Sequence, residues 1–538
     1  MKNKAESSES EASRKRARLL ASSSTTTTTT TTTDRISLSR PHPDGSHLAW
    51  PVPQSDLERA RAFIKRMADC AMAEDERGRE AEREGERERG ERERDSRESL
   101  GSAGASTPTI LIVPDKDADG LASGCILHRT LLAMGVPASR IAIHHVSRAG
   151  HPGTSQERRA MSEKRARWIV VLDQGSRAGD ELVDGSAAGW QWEERIDAQE
   201  QNERDRRQGR ARCAVFDHHH LGEGGAGAGG GPKGSLMINA SSYEPVATSA
   251  LLTWVICRPL WYALQDCCTE ERIVRSIDWL AVLGTCGDLS VNVKWDAPFP
   301  ALDALLSRYG KKRVGDTISA INAPRRTPSF NVSAAYAALF EASDLTGVLA
   351  SPHAEHLHRC RRAVAQETER CTHTAPKFSK DGRVALLFIH SAYQVHPSIA
   401  TRWSGTLKGA KKLQAVYCAN TGYYSNQDRL VHFSGRIAKA AKDRGEEPSL
   451  IELLHSYASL DHTFLPDLCK HYDVPSASHL SFARGHKQAS GGILPHAFWH
   501  RFVKLMQIGE KPEAKESPKR EANKQKNKLT NYFGAQQT

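Results

Sequence analysis

From Thr109 onward the chain alternates short, wholly apolar, β-branched runs with longer amphipathic stretches, and this alternation most limits the folds open to it. Residues 110–113, 141–143, 168–172 and 214–216 read as strands, and 121–134 reads as a helix between the first two. A strand that is apolar at every position must be buried on both faces, and strands separated by helical crossovers run parallel. Helical patterns follow at 248–264 and 271–283, while polar stretches at 186–209 and 222–234 read as surface loops. A helical connector over 334–370 leads to a second α/β region. That region has strands at 384–389, 413–418 and 429–433, a helix at 448–458 and a closing helix at 497–506.

Other segments cannot build such a core. The hydrophobic share of the 538 residues is 38%, enough for three or four units at roughly 150 residues each, with some chain left over. Residues 1–106 hold a Ser/Glu-rich start, a threonine tract from Thr25 to Thr33 and an Arg/Glu stretch over 74–98. One amphipathic helix is expected there, over 56–72, with the Arg/Glu stretch after it read as a solvated spacer or, as the alternative, a charged solvated extension of that helix. The remainder has too little apolar surface to offset chain entropy. The expected division is a low-complexity region over 1–106, an α/β domain over 107–333, a connector over 334–375, a second α/β domain over 376–508 and a basic tail over 509–538.

No apolar run reaches the roughly 18–20 residues that cross a bilayer, and no apolar leader stands at the start, so no membrane association is expected. Eleven scattered cysteines without a CxxC pair favour free thiols in a reducing compartment over a disulfide framework or a zinc ribbon. A formal charge of +11 favours anionic partners, nucleic acid foremost. The cluster Arg14-Lys15-Arg16-Ala17-Arg18 reads as a nuclear-import signal, so the expected location is the nucleus, with the cytoplasm as the alternative.

Four segments of the first α/β region each end in an acidic or histidine-bearing loop. They are Asp115-Lys116-Asp117-Ala118-Asp119-Gly120, Asp173-Gln174-Gly175, Asp217-His218-His219, and Gly284-Thr285-Cys286-Gly287-Asp288, the last after an apolar helical stretch. Loops at the carboxyl ends of a parallel sheet converge on one crevice. Carboxylates gathered there repel one another, and a pair of divalent cations resolves the repulsion. Oxygen donors with one imidazole suit Mn²⁺ or Mg²⁺, whereas the thiolates that favour zinc are missing. Two such ions activate a water and stabilise an in-line phosphoryl displacement.

In this order the motifs resemble those of the DHH phosphoesterase superfamily, and the triple-Asp first motif resembles its RecJ-like single-strand exonuclease branch. Val113 stands where related phosphatases carry a histidine, which favours that branch over a pyrophosphatase arrangement. The run from Asp278 to Asp288 follows the family's fourth motif. The second α/β region resembles the DHH-associated substrate-binding domain. Its Gly-Gly-His-x-x-Ala-x-Gly signature stands here as Arg484-Gly485-His486-Lys487-Gln488-Ala489-Ser490-Gly491, with Arg484 replacing the first glycine, and Ser434-Gly435-Arg436 matches an upstream Ser-x-Arg element. The similarity spans 109–506.

The resemblance implies an α/β fold in which a parallel-sheet DHH domain is joined by a helical connector to a smaller α/β domain. It implies Asp117, Asp119, Asp173, His218 and Asp288 as metal ligands, with Asp173 bridging two Mn²⁺ or Mg²⁺ ions. Asp115 is a ligand or a residue just behind the ligands, and Asp217 orients the two imidazoles. His219 faces the scissile phosphate as charge stabiliser or acid. His219, Asp117 and Asp173 thus stand nearest the chemistry, while Arg436, Arg484, Gly485 and His486 hold substrate phosphates from the opposite side. The implied activity is a metal-dependent nuclease acting on single-stranded DNA, from the 5′ end, in replication or repair. Two alternatives remain: a phosphodiesterase of short oligonucleotides or cyclic dinucleotides, and a non-catalytic replication scaffold of the same superfamily. An oligonucleotide-binding barrel after the second domain, frequent in RecJ-like enzymes, does not fit into the 30 or so tail residues.

Two weaker signals complete the reading. His353, His356, His358, Cys360, Cys371 and His373 crowd the connector without a ligand spacing, and an exposed polar helix is expected there. The tail ends in Leu529-Thr530-Asn531-Tyr532-Phe533, which resembles the sliding-clamp (PCNA) interaction box, with Leu529, Tyr532 and Phe533 as its apolar plug.

Overall fold

Ile110 and Ile112 face one layer of the protein and Leu111 and Val113 the other, and all four are fully buried. The computed structural model describes residues 50–92, 108–148, 150–183, 211–221, 231–264, 269–407, 411–424, 429–474 and 476–510. Among them, five strands form the first sheet: β1 (Ile110–Pro114), β2 (Ile141–Ile143), β3 (Trp168–Leu172), β4 (Arg212–Asp217) and β5 (Ser235–Asn239). All pair in parallel, in the order β2-β1-β3-β4-β5. One face packs beneath α1 (Gln54–Arg92), α2 (Ala118–Ala133), α4 (Ser249–Tyr262) and α5 (Trp279–Leu289). The other packs against Val146 and against Met161 of α3 (Ser155–Glu163). Burial on both sides is why the strands carry no polar alternation.

Three features differ from the sequence expectations. The region over 1–106 is not wholly an appendage: α1 runs 39 residues and belongs to the first core. Phe63 meets Trp168 edge-on at 5.0 Å between centroids, Arg61 donates to the carbonyls of Val255 and Ile256 in α4, and Glu74 pairs with Arg167. The amphipathic spacing predicted the helix, and the charge-rich run continues it to Arg92 rather than forming a spacer. The helix expected over 271–283 is divided, with a π-turn at Val274–Asp278 ahead of α5. Finally, β5 follows the polar insert directly; its polar ends, Ser235 and Asn239, mask a strand whose centre is apolar.

The connector contains α6 (Ala354–Thr372), which packs Cys360, Val364 and Cys371 against the second sheet. Its histidine and cysteine crowd is therefore an amphipathic helix with a buried face, not an exposed polar one. The second sheet has six strands: β6 (Lys377–Phe378), β7 (Val384–Ile389), β8 (Ala415–Asn420), β9 (Leu430–Ile437), β10 (Phe482–His486) and β11 (Ala489–Pro495). Their order is β10-β11-β9-β8-β7-β6, and only β7 and β8 pair in parallel. One face carries α7 (His396–Thr406) and α6; the other carries α8 (Leu450–Ala458), α9 (Phe464–Tyr472) and α10 (His496–Leu505). No helix among the described residues is long and apolar enough to cross a membrane.

The two lobes are tied along one side. Gln394 N donates to Arg326 O at 2.9 Å, Tyr423 Oη donates to Arg325 O at 3.2 Å, and Arg148 donates to Tyr423 O at 3.1 Å. The Arg14–Arg18 cluster and the tail residues Leu529, Tyr532 and Phe533 lie outside the described residues.

Candidate metal centre and substrate cleft

Every strand of a parallel sheet delivers its following loop to the same edge, and here β1, β3 and β4 deliver carboxylates. β1 ends at Pro114, and Asp117 caps α2, accepting from the N–H groups of Asp119 (3.1 Å) and Gly120 (3.3 Å). Only glycine fits at 120, because an added Cβ would stand 2.7–2.8 Å from Asp115. Asp173, directly after β3, takes a left-handed backbone (φ +62°), which Asp tolerates better than most residues. Asp217 closes β4 and is followed by both histidines.

These loops bring two overlapping sets of donor atoms within 4.8 Å of one another. One comprises Asp115, Asp117 and Asp173, the other Asp173, His218 and His219. Asp173 belongs to both. His218 Nε2 lies 3.2 Å from Asp173 Oδ1 and 3.7 Å from Asp119 Oδ2. Asp119 is buried, but the N-terminus of α4 engages it: Ser249 N donates to Oδ2 at 2.8 Å and Ala250 N to Oδ1 at 3.0 Å. Asp288, at the end of α5, is exposed and stands outside both tight sets, although its charge bears on Asp119.

Burial and mutual repulsion show in the protonation equilibria. Burial, then the charges of Asp288 and Asp117, push the Asp119 carboxyl up to about 8. Burial, then Asp119, Asp117 and Asp115, drive Asp173 well above the ordinary carboxylate range. Asp117 is held low: burial works the other way, but the Arg325 guanidinium 3.6 Å distant, the N–H groups of Gly120 and Asp119 and the charge of His219 together outweigh it. This concentration of buried negative charge, built from oxygen donors and a neutral imidazole without a thiolate, fits hard divalent cations.

The two adjacent imidazoles behave oppositely. Burial, then the charge of His219, bring His218 down to about 4. Burial also disfavours the His219 cation, but Asp217 raises that ring to about 9 through its charge and a 2.8 Å hydrogen bond from Nδ1. Asp217 is fully occupied, accepting also from His218 N at 2.8 Å and Ser176 N at 3.0 Å. It orients the histidine pair while both its oxygens are spoken for.

The second lobe faces this centre through the β10–β11 turn. The His486 ring lies 5.6 Å from that of His219, stacked with planes nearly parallel at 22°, and 5.7 Å from that of His218. Gly485 has φ +113°, and a Cβ there would meet Ala489 O at 2.4 Å, so the turn that places His486 requires glycine. Arg484 and Gly485 line the cleft between the lobes, which has a volume of about 1030 Å³. Arg436 lies on β9, where its Nη1 donates to Ser434 Oγ at 3.2 Å and Gly435 O at 2.8 Å.

Sequence reasoning missed several contributors. Ser249 Oγ donates to Asp173 at 2.9 Å, so this one residue holds carboxylates from two different loops. A Thr248 cap ahead of an apolar helix was the available signal, but it marks a helix start and not what that start touches. Arg325, Arg148 and Phe330 were also missed; the Arg148 guanidinium stacks over Phe330 and Tyr423, 5.6 and 5.0 Å from their centroids.

No family model and no curated protein matches the sequence. Among solved structures, RecJ from Thermus thermophilus in complex with Mn²⁺ is 17% identical, over 74% of this chain and 51% of that one, with a TM-score of 0.43. This chain thus spans about half the length of that protein. An exonuclease RecJ bound to manganese is 17% identical over 74% and 89%, with a TM-score of 0.42. The DHH domain of a member of a ribosomal-protein family is 12% identical over 74% and 86%, with a TM-score of 0.46. Those overall superpositions are loose. In this chain the motif loops gather at one edge of the 2-1-3-4-5 sheet, with a Gly-His turn opposite. The first lobe supplies the carboxylates with His218 and His219, and the second lobe supplies His486 and part of the basic wall.

Proposed function

We propose that the chain is a divalent-metal-dependent phosphodiesterase, and more narrowly a nuclease that removes nucleotides from single-stranded DNA, from the 5′ end, in replication or repair. The observation that carries the reading is the sharing of Asp173 between two ligand-range sets at the mouth of a cleft. Asp115, Asp117 and Asp173 would hold one Mn²⁺ or Mg²⁺ ion, and Asp173 with His218 a second, with Asp119 and Asp288 adding charge beside them. Bound there, the ions supply Lewis-acid stabilisation and a water of lowered pKa.

The remaining roles belong to the chain's own side chains. Asp217 holds His219 through Nδ1, leaving Nε2 to donate to a phosphoryl oxygen or to the leaving oxygen. His486 brackets the same phosphate from the second lobe. Phe330, Tyr423 and Tyr424 line the cleft, and Arg148, seated over Phe330 and Tyr423, adds positive charge together with Arg325. A scaffold without activity would have no need of this intact carboxylate set.

One observation favours a second reading. The cleft volume of about 1030 Å³ is at the upper end of small-ligand sites, roughly 300–1,000 Å³. That suits a short oligonucleotide or cyclic dinucleotide as well as the end of a longer strand. A digestion series separates the readings: end-labelled DNA, RNA and dinucleotide substrates, with Mn²⁺ or Mg²⁺, on the native protein and on His218→Ala. Stepwise shortening of the DNA from its 5′ end supports the nuclease; dinucleotide turnover far exceeding it supports the alternative. Failure of all substrates with both metals overturns the enzymatic reading. Nuclear location and clamp binding through Leu529, Tyr532 and Phe533 belong to the same proposal. Truncation at Lys528 that leaves clamp pull-down unchanged removes the clamp contact.

A further inference from the structure

A second concentration of charge lies on the cleft wall beside the carboxylates. Arg177, in the loop after β3, and Arg484, in β10 of the other lobe, line the same cleft as Asp173 and His219. Arg177 reaches across the lobes to donate to Ser481 Oγ at 3.4 Å, and Arg484 is anchored by Nε on Leu480 O at 3.0 Å. The Nη2 of Arg484 is sealed from solvent and has no hydrogen-bond partner among the described residues. Native proteins seldom leave a buried donor of this kind without an acceptor.

Among the described residues no ion pair joins a carboxylate to either guanidinium. Asp217, the acid whose charge reaches Arg177, already accepts from both histidines and Ser176. Glu452 also lines the cleft, but among the described residues no ion pair joins it to either arginine. Burial, then the charge of Arg484, bring Arg177 down to about 10, and burial lowers Arg484 as well. Two like charges are thus held in partly dry surroundings, one from each lobe, with an unfilled donor between protein walls. Planar guanidiniums match the paired oxygens of a phosphate.

We propose that Arg177 and Arg484 form an anion subsite that takes a non-scissile phosphate of the substrate strand, at a linkage neighbouring the one held at the carboxylate centre. This rests on the phosphodiesterase reading and deepens it: the preferred substrate carries at least two phosphates in series, so a simple diester is a poor substitute. Because Arg484 stands where the associated-domain signature has glycine, the subsite belongs to this chain's own variation of that turn.

The test compares bis(p-nitrophenyl) phosphate, a diester without a neighbouring phosphate, with end-labelled single-stranded oligonucleotides carrying one methylphosphonate at each linkage in turn. In the native protein with Mn²⁺, neutralising one linkage beside the cut is expected to slow cleavage at least about tenfold, more than at any other position. Arg177→Gln and Arg484→Gln are expected to lower the oligonucleotide-to-diester ratio of kcat/KM at least about tenfold and to erase that sensitivity. Equal sensitivity at every linkage, or an unchanged ratio in both variants, overturns the subsite. Should a variant fail to fold, the methylphosphonate scan on the native protein decides alone. If the native protein cleaves neither substrate, the phosphodiesterase reading fails by itself. The subsite is then judged from oligonucleotide affinity by fluorescence anisotropy, where the same neutralised linkage must weaken Kd about tenfold or the proposal falls.

Discussion

The two lobes handle polar chemistry in opposite ways. The first uses an all-parallel sheet to bring buried carboxylates to one edge, where Asp119 and Asp173 are pushed up by burial and by neighbouring carboxylates. The second uses a mixed sheet with a glycine-rich hairpin to present His486, Arg484 and Arg436. The first lobe thus gathers most of the buried carboxylates, while both lobes contribute basic side chains to the cleft between them. Neither lobe forms the site alone.

That contrast can be broken at its strongest point by Asp173→Asn, which keeps the left-handed backbone but removes the shared charge. Metal-dependent hydrolysis is expected to fall about 1,000-fold or more, with manganese uptake lost in calorimetry. Retained uptake would show that the centre is not organised around Asp173. On the other lobe, His486→Ala is expected to cost about 100-fold in kcat while manganese uptake persists. Loss of uptake there would blur the division between the lobes.

A smaller effect is expected at Ser249. Replacement by alanine removes the hydrogen bond to Asp173, and manganese affinity should fall about tenfold, with Ser249→Thr restoring part of it. An unchanged affinity in Ser249→Ala would reduce the α4 contact to packing.

The smallest expected effect concerns a carboxylate that is satisfied rather than strained. Glu157 is buried and accepts from Ser147 N at 2.9 Å, and lies 2.8 Å from His144 Nε2, anchoring a loop beside the cleft. Burial would raise its carboxyl, but these hydrogen bonds hold it at about 2. A carboxyl lowered on folding contributes stability above its unfolded pKa, roughly 4.3, and loses it as the pH falls toward 2. Glu157→Gln is expected to cost about 2 kcal/mol at pH 7, after allowance for solvent screening, and to flatten the acid limb of melting temperature against pH. An acid limb identical to the native one would discount the anchor.

What the sequence made legible divides along physical lines. Strands β1 to β4 were readable because burial on both faces leaves continuous apolar runs, and the motif loops because their acids and histidines cluster tightly in sequence. The β10–β11 hairpin was not readable as strands: Gly485, Gly491 and Gly492 replace the β-branched residues by which a strand is recognised. Ser249 and Arg177 act on groups far from them in sequence, with 76 positions separating Ser249 from Asp173 and 304 separating Arg177 from Ser481. Such pairings arise from tertiary closeness, which a local pattern does not encode. Asp288, prominent in its motif, ended exposed because α5 carries it to the helix end rather than into the donor sets.

Helix α1 has a practical consequence for anyone cutting this protein into pieces. Composition alone suggests starting a minimal fragment near residue 107, where the low-complexity stretch gives way to β1. Phe63, Ile64 and Met67 nevertheless cover the first sheet, and Trp50 leans on Phe299. A fragment begun at 107 would therefore expose a greasy panel to water and invite aggregation, whereas one begun ahead of Trp50 keeps its roof.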